Sequence, residues 1–150
     1  GVFVLARTSN AGAADFQSLE VAGTPLYERV AQALAPHAEA LRGSSGWSNL
    51  GVVAGATYPE ESERLRRALP HSLFLVPGYG AQGGALDTVR ACFTADGRGA
   101  IVNSARGVMY PGRFGGSRGP AEVAGGVGAI KDEIRAAARD FVGAIRSTLR

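Results

Sequence analysis

The sequence has little cysteine, little lysine and no long apolar segment. Its single cysteine, Cys92, excludes an internal disulfide and fits a reducing compartment, so we expect a cytoplasmic protein. No run approaches the roughly 18 consecutive apolar residues of a transmembrane helix, so no membrane span is expected. Only one of the 16 basic residues is a lysine, Lys131, and 13 acidic residues leave a net charge of +3. Runs of like charge are too short for a nucleic-acid-binding tail, whereas a basic domain suits an anionic small ligand.

Glycine is abundant, with 22 in 150 residues, and the glycines cluster where predicted strands end. Apolar runs followed by helical patterns recur four times along the chain. This alternation predicts a parallel sheet covered by helices, in one domain spanning residues 1–150. The strands are predicted at residues 2–6, 50–54, 73–76 and 100–102. Ligands of such sheets bind beyond the carboxyl ends of the strands.

Helix signals follow the strands. Thr24 is predicted to cap a helix that has Pro25 at its first position, and Pro59 to open another. In that second helix we expect the charged residues on a solvated outer face and the two leucines, Leu65 and Leu69, inward. Apolar positions at helical spacing predict a last helix over residues 127–149.

The most informative stretch is the glycine-rich segment at residues 77–84, Pro-Gly-Tyr-Gly-Ala-Gln-Gly-Gly. It follows a predicted strand and precedes a helix predicted at residues 85–93. Glycine lets the backbone approach a ligand closely, and a helix N-terminus favours an anion. The segment therefore predicts a site for a phosphate ester.

Two other interpretations of this segment remain. Gly78, Gly80 and Gly83 match the spacing G-x-G-x-x-G of dinucleotide-binding folds, which want an acidic residue after the next strand. The candidate, Asp96, lies before that strand, and residues 103–106, which follow it, contain no acid. This disfavours a dinucleotide site. A plain glycine-rich connection between strand and helix stays open.

Five segments, read together, resemble orotidine 5′-phosphate decarboxylase of the longer bacterial type. They lie at residues 7–10 (Arg-Thr-Ser-Asn), 12–17 (Gly-Ala-Ala-Asp-Phe-Gln), 53–60 (Val-Ala-Gly-Ala-Thr-Tyr-Pro-Glu), 76–84 and 103–106 (Asn-Ser-Ala-Arg). The resemblance implies a TIM barrel that decarboxylates orotidine 5′-monophosphate (OMP) to uridine 5′-monophosphate (UMP) in pyrimidine synthesis, without metal or cofactor. We then expect this chain to be a fragment, the C-terminal half of the (β/α)₈ barrel with about four βα units.

The resemblance also implies substrate-binding roles. Ser9 would hydrogen-bond the pyrimidine edge, and Gln82 would reach between the base and the phosphate. The 5′-phosphate would be held by Arg106 and by a backbone N–H at or beside Ala105. Pro77 and Gly78 would shape the entrance of the phosphate loop. The partner implied is the nucleotide substrate, with a homodimer as the complete enzyme.

The sequence departs from the family pattern in three ways. Ala11 stands where the family usually has proline, and the insertion at residues 111–126 is longer than expected. The catalytic array of the form Asp-x-Lys-x-x-x-x-Asp, which the family carries in the first half of its barrel, is absent, and Lys131 on the last helix is no substitute. We therefore expect no catalytic residue in this chain and no activity from it alone. The alternative is a non-catalytic module for phosphate-ligand binding or assembly, with a parallel α/β sheet.

Overall fold

The computed structural model describes residues 1–79, 86–111 and 126–149. The second half of the glycine-rich segment, including Gln82, and nearly all of the predicted insertion lie outside the described residues. In chain order the elements are β1 (Val2–Arg7), α1 (Ala13–Gln17), β2 (Glu20–Val21), β3 (Thr24–Pro25), α2 (Leu26–Ala40), β4 (Leu50–Ala54), α3 (Pro59–Ala68), β5 (Phe74–Val76), α4 (Leu86–Ala91), β6 (Ala100–Val102), α5 (Ala105–Met109) and α6 (Gly126–Thr148). The chain divides into two compact units, Gly1–Asn103 and Ser104–Arg150.

The first unit contains a four-stranded parallel sheet in the order β1-β4-β5-β6, which confirms the predicted strands. Because side chains alternate along a strand, the sheet has two different faces. One face includes Val52, Phe74 and Val76 of the central strands, and all three side chains are fully buried. The residues Leu65 and Leu69 of α3 are buried as predicted, so this face and the helices form the core.

The other face of the sheet carries a continuous apolar row. Leu5 pairs in register with Val53, Val53 with Leu75, and Leu75 with Ile101. Leu5 is 66% exposed and Ile101 is 50% exposed, whereas the two central members are half-buried. The row is thus an apolar surface of the first unit, on the side opposite the buried core.

The predicted start of α2 is wrong by one residue. Thr24 does not cap the helix, because it pairs with Val21 in a small antiparallel hairpin, and Pro25 occupies the capping position. The hairpin turn consists of Ala22 (φ 50°) and Gly23 (φ 73°). Two successive positive φ angles are typical of the turn that joins two-residue hairpins. Hairpin pairing therefore overrides the helix-start signal.

Arg66 of α3 is not on a solvated face, so its predicted position is wrong. Its guanidinium donates to the carbonyl oxygens of Cys92 (2.7 Å), Gly99 (2.9 Å) and Ser72 (2.8 Å). It also lies over the ring of Phe74, 3.6 Å from the centroid. Burial lowers the pKa of Arg66 to about 10, so the group keeps its charge at neutral pH. This side chain joins α3 to the end of α4 and to the turns that precede β5 and β6.

The second unit consists, in its described part, of the short helix α5 and the long helix α6. The predicted last helix is confirmed, and its apolar stripe is half-buried at Ile130, Ile134, Ala137, Phe141 and Ile145. No helix within the described ranges is both long and apolar enough to cross a membrane.

Candidate functional site

The carboxyl ends of the four strands are joined to one another by backbone hydrogen bonds. These bonds extend the sheet past its last ladder positions: Gly55 N to Arg7 O at 2.7 Å, Ala56 N to Pro77 O at 3.0 Å, and Asn103 N to Val76 O at 2.9 Å. Since all four strands are parallel, the segments that follow them share one edge of the sheet. The first unit thus presents the start of each following segment at the edge where a ligand site is expected.

The loop after β1 begins with a change in register. Leu5 pairs with Val53, but Arg7 pairs with Ala54, so the strand bulges between them. A bulge bends a strand and redirects the side chains that follow it. Ser9 lies two residues beyond this bend and is half-buried. The bulge therefore helps to set the direction in which Ser9 leaves the sheet.

Two glycines at this edge do what no other residue could. A Cβ at Gly55 would lie 2.8 Å from the backbone nitrogen of Ser9 and 3.0 Å from its Cβ, distances that real Cβ atoms avoid. Gly78 has φ 94°, a conformation that side-chain-bearing residues rarely adopt. Gly55 thus lets the β1 and β4 loops touch, and Gly78 redirects the chain after Pro77.

Arg7 turns away from this edge into the helical layer. It is only 4% exposed, and its Nε and Nη2 donate to the two carboxylate oxygens of Glu61 at 2.6 and 3.0 Å. The rings of Tyr27 and Tyr58 lie 5.5 and 5.6 Å from its guanidinium carbon. Burial raises the pKa of Tyr27, which is consistent with a closed environment. The prediction that the charges of α3 are all solvated is therefore wrong for Glu61 as well.

The structure positions only some of the predicted site residues together. Ser9, Pro77 and Gly78 lie at the shared strand edge of the first unit, whereas Gln82 is outside the described residues. Two further predicted residues open the short helix α5 of the second unit, where both are exposed: Ala105 and Arg106. The binding roles given to these residues by resemblance stay predictions.

Sequence reasoning missed two residues that shape the site. Gln17 ends α1 and hydrogen-bonds Thr8, the neighbour of Ser9, and Gly55 permits the close approach described above. Both stand inside the segments that carry the family resemblance, at residues 12–17 and 53–60. The resemblance marked the segments, but only the fold shows which contacts these two residues make.

The described residues contain no group of three or more histidine, cysteine, aspartate or glutamate side chains placed to hold a metal ion. Cys92 is fully buried, and burial raises its pKa. A protonated, inaccessible thiol is not a nucleophile.

The chain is similar in sequence to known proteins. No family model matches the chain. A Rhodopirellula baltica protein named orotidine 5′-phosphate decarboxylase is 46% identical over 110 residues, which are 73% of this chain and 36% of that protein. A protein of the same name from Ralstonia pickettii is 47% identical over 111 residues. The chain is a homologue of the orotidine 5′-phosphate decarboxylases. It spans about two-fifths of the length of the curated decarboxylases it matches.

Solved decarboxylase structures confirm the fold class. OMP decarboxylase from Leishmania donovani is 34% identical and superposes with a TM-score of 0.68, covering 99% of this chain and 48% of the other. A protein described as a putative orotidine-monophosphate decarboxylase from Toxoplasma gondii is 27% identical and superposes with a TM-score of 0.71. The match covers 99% of this chain and 51% of the other. The four-stranded parallel sheet with its helices is accordingly part of a TIM-barrel-type α/β fold.

Proposed function

We propose that this chain provides the pyrimidine- and phosphate-binding half of an orotidine 5′-phosphate decarboxylase, which converts OMP to UMP and CO₂. The observation that carries the proposal is the 46% identity to the Rhodopirellula baltica decarboxylase. The arrangement of the strand ends supports it, because the resembling segments after β1, β4 and β5 meet at one edge of the sheet. We further propose that the complete enzyme is a cytoplasmic homodimer.

The base would be recognised at the loop after β1. The hydroxyl of Ser9 can donate and accept a hydrogen bond, which suits the alternating carbonyl and N–H groups of a pyrimidine edge. Pro77 and Gly78 would form the entrance of the phosphate loop beside it, and Gln82 would span the distance from phosphate to base. Glycine at position 78 supports this role, because its positive φ turns the chain without a side chain in the way.

The 5′-phosphate would be held by Arg106 and by a backbone N–H at or beside Ala105. A guanidinium donates two parallel hydrogen bonds to phosphate oxygens, and it stays charged at every pH of interest. Arg106 is an exposed residue of α5.

The chemical step requires a group from outside these residues. Loss of CO₂ leaves negative charge on a ring carbon, which needs a nearby cation able to deliver a proton, and lysine does this well. The chain's one lysine, Lys131, lies exposed on α6. Arg7 is a poor proton donor and is already paired with Glu61. We therefore propose that a lysine of the remaining barrel half protonates the ring.

A chimera tests this function. In the Rhodopirellula baltica relative, the matched segment is replaced by the corresponding residues of this chain, so that the rest of the barrel comes from the relative. We expect the chimera to convert OMP to UMP, measured by the change in ultraviolet absorbance. A folded chimera that neither turns over OMP nor binds UMP would contradict the proposal and would favour a non-catalytic module.

Two variants of the chimera separate the two binding roles. Arg106→Ala should weaken the binding of UMP by about 2–3 kcal/mol, because a charge-assisted contact to the phosphate is lost. The binding of uridine, which has no phosphate, should hardly change. Ser9→Ala should weaken the binding of UMP and leave the binding of ribose 5-phosphate unchanged, because ribose 5-phosphate has no base. Arg67→Ala changes an exposed arginine of α3 that lies between Ser9 and Arg106 in the chain, so it is the matched control and should leave the affinities for all three ligands unchanged. Equal losses for UMP and uridine in Arg106→Ala would show that this residue does not bind the phosphate.

A further inference from the structure

The loop that carries Ser9 is closed at its base by one side chain. Gln17, the last residue of α1, accepts a hydrogen bond from the backbone N–H of Thr8 through its Oε1, at 2.9 Å. Its Nε2 donates to the hydroxyl of Thr8, also at 2.9 Å. One amide group thus holds both the main chain and the side chain of the residue that precedes Ser9.

The contact reaches the residue after Ser9 as well. The hydroxyl of Thr8 accepts from Gln17, so its own proton is available for Asn10, whose Oδ1 lies 2.6 Å away. The loop backbone then enters α1 with Ala13 N donating to Asn10 O at 3.0 Å. Both neighbours of Ser9 are therefore fixed, Thr8 directly and Asn10 through the Thr8 hydroxyl.

The backbone hydrogen bonds between β1 and β4 do not extend to Thr8. Gly55 N already donates to Arg7 O at 2.7 Å, which is the last β1–β4 backbone bond. The N–H of Thr8 lies past this point, and Gln17 supplies its acceptor. A half-buried N–H without a partner would be costly. Gly55 packs against Ser9 on the other side, as its missing Cβ requires. Ser9 is consequently held between Gly55 and the residues that Gln17 fixes.

We propose that Gln17 is a positioning residue for pyrimidine recognition. Resting on the proposed function, this assigns Gln17 the task of holding the Ser9 loop in its binding conformation before the nucleotide arrives. A loop ordered in advance loses less conformational freedom on binding, so the affinity for the base is higher. Gln17 does not touch the substrate in this proposal, and it acts through Thr8 and Asn10.

The test uses the chimera and two ligands that share a phosphate but differ in the base. Gln17→Met keeps the length of the side chain and removes both hydrogen bonds. We expect this variant to bind UMP about tenfold to a hundredfold more weakly, as the loss of one or two hydrogen bonds implies, with ribose 5-phosphate unchanged. Thr8→Val, which keeps the N–H but removes the hydroxyl, should show the same selectivity with a smaller loss.

Pairing and control variants complete the design. The double variant Gln17→Met/Thr8→Val should lose less than the sum of the single losses, because both residues belong to one hydrogen-bonded unit. Gln32→Met on the exposed side of α2 is the matched control and should bind both ligands normally. Circular dichroism and the thermal midpoint establish that each variant is folded.

The outcomes distinguish this inference from the proposed function. If the unmodified chimera fails to bind UMP, the proposed function is wrong and the positioning role falls with it. If the unmodified chimera binds UMP but Gln17→Met weakens both ligands equally, or neither, then Gln17 is a structural residue and the inference alone is overturned. A selective loss of UMP in both single variants supports it.

Discussion

Replacement of Arg66 by methionine should destabilise the first unit far more than any change at a neighbouring arginine. The variant keeps an apolar stem over Phe74 but removes the guanidinium. The carbonyl oxygens of Cys92, Gly99 and Ser72 then lose donors that lie at 2.7, 2.9 and 2.8 Å. These carbonyls belong to three separate connections, so no single rearrangement can satisfy all of them.

The magnitude follows from the carbonyls that lose their partner. Gly99 O keeps the backbone N–H of Phe74 at 2.8 Å, so the cost comes from the carbonyls of Cys92 and Ser72. A buried polar group left without a partner costs about 1–3 kcal/mol, so two carbonyls at the lower end of that range give about 2 kcal/mol. The lower end applies because Arg66 is half-buried and water can reach part of the site. Domains of this size have free energies of unfolding of about 5–15 kcal/mol, so the loss is a large fraction of the total.

Urea denaturation followed by tryptophan fluorescence measures the effect. Trp47 is the only tryptophan, and its ring lies against Gly99, where a Cβ would be 2.7 Å from it. The matched control is Arg67→Met, because Arg67 is exposed and makes only a surface pair with Glu63 at 3.7 Å. This control should change the free energy of unfolding by less than about 0.5 kcal/mol.

A lysine at position 66 sharpens the test. Lysine keeps the charge, but a compact ammonium cannot span acceptors that a planar guanidinium reaches together. We expect Arg66→Lys to lie between the wild type and Arg66→Met. Equal unfolding free energies for Arg66→Met and Arg67→Met would refute the reasoning, since the carbonyl contacts would then contribute nothing measurable.

Three further predictions concern other parts of the first unit. Glu61→Gln leaves the buried charge of Arg7 without its partner and should cost about 3 kcal/mol in urea denaturation, whereas Glu60→Gln on the exposed side should cost almost nothing. Gly55→Ala places a methyl group against the loop after β1 and should destabilise by about 2 kcal/mol; a wild-type urea midpoint would contradict the close approach. Cys92 should react with a thiol reagent only on unfolding. Because burial raises its pKa, the folded thiol keeps a proton that the unfolded one loses near pH 9, so this group's contribution to stability falls as the pH rises through that range.

The strands and long helices were predictable because their signals are local. Apolar runs bounded by glycine, proline and serine predicted all four strands of the sheet, and the stripe at Ile130, Ile134 and Phe141 predicted α6. The short elements were not predicted. Helices α1 and α5 have only five residues each, too few for a periodic pattern, and the β2–β3 hairpin competes with a helix-start signal at Thr24.

The site was only partly predictable because its contacts join distant residues. The resemblance pointed to Ser9, Pro77 and Gly78, and these lie at the shared strand edge. The partners that shape this region could not be read from the pattern. Arg7 pairs with a glutamate 54 positions away, and Arg66 was predicted to be solvated because helical spacing gives its face but not the carbonyls that converge on it.

The strand order has a consequence for how the first unit is made. Each strand of the sheet pairs with the next sheet strand along the chain, in the order β1-β4-β5-β6. Residues leave the ribosome from the N-terminus onward, at about 5–20 per second. Every new strand therefore meets an edge that is already formed, and none has to be inserted between two earlier ones. A nascent chain that ends just after Ala54 already holds both members of the first pair, so its structure can grow by addition at one edge during translation.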